Sequence, residues 1–141
     1  MTKLAGVLAL VISTLAMTAC GGEKKSEEEG GATVTCSGPA LSGDSGLPES
    51  FPQPDGVTYT KTADAGPSKI VDGYYEGDLQ AAHDEYKQGL SGGGYDVLFD
   101  EIEDHDSEVS WEGSGRTGQV ALREECREDG RLVVHITSRP E

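Results

Sequence analysis

After Gly94 the chain stops repeating at helical spacing and begins to alternate. "YDVLFDEI" (Tyr95 to Ile102), "EVSWE" (Glu108 to Glu112), "GQVALREEC" (Gly118 to Cys126) and "RLVVHITS" (Arg131 to Ser138) follow one another with only short polar breaks. Apolar residues at period two give a strand one buried face and one wet face. The breaks, around "HDS", "GSGRT" and "REDG", carry turn residues and are hairpin-sized. Parallel neighbours would need crossovers of a dozen or more residues, so these segments must run antiparallel.

Upstream, "VTYTKT" (Val57 to Thr62) and "KIVDGYYE" (Lys69 to Glu76) are rich in strand formers and are separated by the turn "ADAGPS". One helix follows. Asp78 is placed as its N-cap, Leu79, Ala82, Tyr86 and Leu90 recur on one face, and Gly92-Gly93-Gly94 stops it. The order ββαββββ predicts an α+β fold: an antiparallel sheet of about six strands with one helix packed on one face. The expected core is Val57, Tyr59, Ile70, Tyr74, Leu79, Ala82, Tyr86, Leu90, Val97, Phe99, Trp111, Val120, Leu122, Leu132, Val134 and Ile136. One helix covers one face, so the other is expected to stay partly open.

The first twenty residues are of another kind. Lys3 precedes an apolar run from Leu4 to Met17, broken only by Gly6, Ser13 and Thr14. The run is shorter than the ~20 residues that span a bilayer, and small residues lead from it into "TACGG". An ordinary secretory signal or a weak anchor would share the first part of that pattern. Over residues 1 to 22 the segment resembles the lipobox of bacterial lipoproteins, with Met17 where the family usually has Leu, Val or Ile. The resemblance implies removal of residues 1–19 as a signal peptide and acylation of the Cys20 thiol by a diacylglyceryl group of palmitate-like chains. The protein would then be held on the extracytoplasmic side of the cell membrane, because two acyl chains anchor stably at about 0.8 kcal/mol per buried methylene.

Such processing would leave 122 residues, enough for one domain. It would remove only Lys3 from the charges, leaving ten Lys and Arg against 26 Asp and Glu, a net charge of −16. That surface repels nucleic acid, whose binding needs cations against phosphates, and has no basic face for anionic lipid. With Cys20 tethered, Cys36 and Cys126 remain as an even pair in an oxidising compartment, where a disulfide between them is expected; two free thiols are the alternative. The Gly-rich, charged start is read as a flexible linker over residues 20–47, ahead of a single globular domain over 48–141, with Leu47 and Phe51 available to dock against it. The element order is loosely similar to that of helix-grip domains found in other envelope lipoproteins, a likeness of order that carries no activity.

A catalytic nucleophile needs a base beside it and a group orienting that base. Gly113-Ser114-Gly115 and Ser42-Gly43-Asp44-Ser45-Gly46 lack nucleophile-elbow spacing and read as turns. His83, His105 and His135 fall on separate elements without zinc-ligand spacing. "DEIEDHDSE", Asp100 to Glu108, packs six carboxylates into nine residues and invites a hard cation such as calcium, with Asp100, Glu101, Asp104 and Asp106 as candidate ligands. The register of an EF-hand loop fails, since from Asp104 position six is Val109 and position twelve is Gly115. Alternation would also divide the cluster between two faces, leaving a solvated acidic hairpin. The expectation is therefore a monomeric, membrane-tethered binding or accessory domain of the cell envelope, not an enzyme and without a cofactor. Its partner would be an envelope protein or small ligand. An acidic calcium-binding lipoprotein and an unrecognised envelope enzyme are the alternatives.

Overall fold

A computed structural model describes residues 36–141; the signal segment, Cys20 and the first part of the expected linker lie outside the described residues. The described chain forms one six-stranded antiparallel sheet with one helix, as the alternation requires. Its elements are β1 (Val57–Ala65), β2 (Ser68–Glu76), α1 (Leu79–Gly92), β3 (Asp96–Ile102), β4 (Asp106–Gly113), β5 (Arg116–Cys126) and β6 (Arg131–Pro140). Across the sheet the order is β1-β2-β6-β5-β4-β3, so β1 and β3 are the edges. The helix leaves β2, crosses one face and delivers the chain to the far edge, packing on β3, β4 and β5.

Local chemistry fixes the turns. The Asp78 side chain accepts the Ala81 amide at 2.9 Å, capping the first turn of α1. At the other end a Cβ on Gly93 would stand 2.6 Å from the Ser50 carbonyl, so the stop also lets the incoming chain pass close by. Between β4 and β5, Ser114 (φ 55°) and Gly115 (φ 71°) both occupy the left-handed region, the backbone of a two-residue type I′ hairpin. The Gly-Ser-Gly stretch is thus a turn.

The core lies between α1 and the covered face. Leu79, Ala82, Tyr86 and Leu90 meet Val57, Tyr59, Val71, Val109, Trp111, Val120, Leu122, Leu132, Val134 and Ile136. Rings of Phe51, Tyr95 and Trp111 close one end, edge to face at 5.0 to 5.9 Å. Gly118, opposite Trp111 in the ladder, makes room for the indole, since a Cβ there would come within 2.9 Å of it. The hydroxyls of Tyr59 and Tyr86 meet at 3.1 Å inside this core. Burial is the largest effect on both: it pushes Tyr59 up to about 12 and Tyr86 well above the ordinary 10.0.

Three expected core residues face elsewhere. In β2 the inward residues are Val71 and Tyr75, so Ile70 and Tyr74 point to the open face. Two apolar doublets, Ile70-Val71 and Tyr74-Tyr75, make the strand read equally well in either register, and a one-residue slip exchanges faces. Tyr74 is still buried, because the segment after Cys36 passes over it: its hydroxyl donates to the Gly38 carbonyl at 3.3 Å, and the Arg131 guanidinium stacks 4.5 Å from its ring centre. In β3 a bulge between Val97 and Phe99 leaves Leu98 without a partner on β4 and carries Phe99 to the open face, half exposed.

The folded unit also takes in residues assigned above to the linker. Cys36 and Cys126 are paired as a disulfide with Cα atoms 5.4 Å apart. The Leu41 amide donates to the Tyr59 carbonyl at 2.8 Å, and Leu41 and Leu47 pack against the core. A covalent pin at one end and two leucines against the core outweigh the Gly/Ser-rich composition between them.

Candidate functional site

The acidic stretch is divided by the pleat. Asp100 faces the helix: Lys87 Nζ donates to its Oδ2 at 2.7 Å, and His83 Nε2 lies 3.3 Å from the same oxygen. Those two bonds, Lys87 first, hold the Asp100 carboxyl below its ordinary 3.8. Glu101 faces Glu108 across the ladder on the open side, and Glu108 accepts from Gln119 Nε2 at 2.8 Å. Asp106 lies opposite Arg123, while Glu103 and Asp104 sit exposed around the turn. A shallow depression of about 150 Å³ runs along Glu101, Glu103, Asp106 and Glu108. Ser107 also lines it, but its side chain shares the covered face with Leu122, its ladder partner, where the Oγ is buried and unpartnered. Among the described residues no three His, Cys, Asp or Glu side chains converge on one point.

Each histidine is held by a carboxylate. His83, buried on α1, takes Asp100; His105 Nδ1 lies 3.0 Å from Glu124, which Arg127 also pairs; His135 Nδ1 lies 2.6 Å from Asp72 in the middle of the open face. Arg127, then His105, depress the Glu124 carboxyl. A carboxylate orienting an imidazole is half of a general-base arrangement; the other half is a hydroxyl or thiol on the second nitrogen. Among the described residues no such group bonds to any of the three imidazoles.

What remains is a surface. On the open face a groove of about 590 Å³ is floored by Ser110, Thr117, Gln119 and Thr137, with Ile70 on one side and Leu98 on the other. Beyond Leu98 the sheet ends at β3. The large apolar side chains exposed among the described residues all belong to that strand: Leu98 at 55%, Phe99 at 50% and Ile102 at 39%. The alternation marks β3 as a strand but does not mark these three as surface residues, and it puts Phe99 in the core. Their exposure follows from β3 being an edge, which is decided by where the helix sets the chain down and not by local pattern. "VLF", three apolar residues in succession inside an alternating strand, was the signal that could have raised it.

No protein-family profile, curated protein or solved structure matches this chain.

Proposed function

We propose that the protein is a membrane-tethered lipoprotein of the extracytoplasmic side whose folded domain is a binding or accessory module of the cell envelope. The tether rests on the sequence around Cys20. The binding role rests on one observation: the exposed large apolar side chains of the described residues gather on a single edge strand, beside a groove of ligand dimensions. Exposed apolar side chains gathered on one strand mark an interaction site more often than scattered single residues do. A −16 surface directs the choice of partner away from nucleic acid and anionic headgroups and towards neutral or cationic protein surfaces.

Cell fractionation tests the tether, and cross-linking tests the binding role. The wild-type chain should label with palmitate and sediment with membranes, and Cys20→Ala should abolish labelling and leave precursor or released protein. A Cys20→Ala protein that is still cleaved after Ala19 and partitions as before contradicts the tether. Cross-linking on intact envelopes should capture the same partner in repeated experiments, and its complete absence contradicts the binding role.

A further inference from the structure

We infer that the β3 edge is a docking site for an extended, cationic segment of another protein, which adds to the sheet as a seventh strand; this deepens the binding role proposed above and rests on it. The two edges differ in what covers them. Beside β1 the chain itself supplies Leu41, bonded to the Tyr59 carbonyl, whereas β3 is the last strand on its side. An edge strand presents a row of free amides and carbonyls, and strand addition uses that row for affinity and the flanking side chains for choice of partner.

The side chains of β3 select one kind of occupant. Leu98, Phe99 and Ile102 offer apolar contact on both faces of the edge. Between and beyond them Asp96, Glu101, Glu103 and Asp104 are exposed, and none forms an ion pair among the described residues. A second copy of this chain would set these carboxylates against their own like, and each molecule carries a large negative charge. Charge and bulge together are the usual defences of an edge against self-pairing. A strand alternating Lys or Arg with aliphatic residues turns the same repulsion into attraction, its aliphatic side chains meeting the apolar residues of one face and the stems of its cations those of the other. Side chains of its open-face register would reach the groove next to Leu98.

The full-length protein in detergent micelles should be titrated with a peptide of about nine residues alternating lysine and valine, long enough to follow the strand. This peptide should bind at least about tenfold more tightly than one with glutamate for lysine, and N-methylation along its bonding edge should weaken it as much. Phe99→Lys, a change at an exposed position, should also weaken it about tenfold, and Leu98→Lys serves as a second variant. Bound peptide should slow amide exchange in Asp96–Ile102 and leave β1 unchanged. Equal binding of the N-methylated peptide, indifference to both lysine variants, protection elsewhere, or no binding overturns the inference. So does a dimer in sedimentation that Phe99→Lys disperses, which would make the occupant a second copy. Photo-cross-linkers at Phe99 and at Gln119 in intact cells separate this inference from the broader reading. Capture through Gln119 alone removes the edge and keeps the binding role, and capture through neither removes both.

Discussion

The two edges of this sheet are finished in opposite ways. At β1 the chain supplies Leu41, bonded to the Tyr59 carbonyl, from a covering segment that the Cys36–Cys126 disulfide pins at one end and that Leu41, Leu47 and Phe51 hold in or against the core. At β3 the strand carries exposed apolar and acidic side chains with nothing of the described chain beyond it. One edge is sealed by covalent and apolar contacts, which stabilise the fold. The other is guarded by charge, which discourages like partners at little cost to stability. Stability and recognition are thereby assigned to opposite ends of one small sheet.

The covering segment from Cys36 to Phe51 should show the largest effects. Replacing Cys36 and Cys126 by serine releases a 90-residue separation in the unfolded chain, a loss of about 4–5 kcal/mol in the chain-entropy account. Denaturant melts under oxidising conditions measure it, and a loss below about 1 kcal/mol would mean that the covering segment holds itself. Phe51→Ala empties a buried ring site between Tyr95 and Trp111 and should cost about 3–4 kcal/mol by the same measurement.

Alkaline pH probes the sealed edge through Tyr59. Its folded value stands above the unfolded one, so its contribution is fully present below pH 10 and is lost as pH rises towards 12. The loss should be on the order of 2 kcal/mol, and Tyr59→Phe should make that part of the stability curve less steep, with Tyr86, raised by the same burial, sustaining the rest. The bare edge should give the smallest effect: Phe99→Lys, half exposed in the wild type, should change stability by no more than about 0.5 kcal/mol. A large destabilisation there would mean that β3 is part of the structural core, and the contrast between edges would fail.

The sequence carried the strands, the helix and its cap because these depend on neighbours in the chain. Asp78, the period of Leu79 to Leu90, and the hairpin turn at Ser114-Gly115 behave as local chemistry requires. Faces were harder. Ile70-Val71 and Tyr74-Tyr75 leave the register of β2 undecided until β6 pairs with it, and the bulge at Val97/Phe99 exists only against β4. The covering segment was least legible, since glycine, serine and proline describe a linker equally well until Cys36 is joined to Cys126. The acidic stretch showed its composition in the sequence and its arrangement only in the sheet, where Asp100 turns to Lys87 and Glu101 to the open side.

Native-state hydrogen exchange on the full-length protein tests the contrast most directly. The Leu41 amide, bonded to Tyr59, should exchange close to the rate set by global unfolding, while the β3 amides that point away from β4 exchange at least about 100-fold faster. Reducing the disulfide should bring Leu41 towards the β3 rate and leave β3 unchanged. Outward β3 amides as slow as Leu41, or a Leu41 amide as fast as theirs before reduction, would contradict the account.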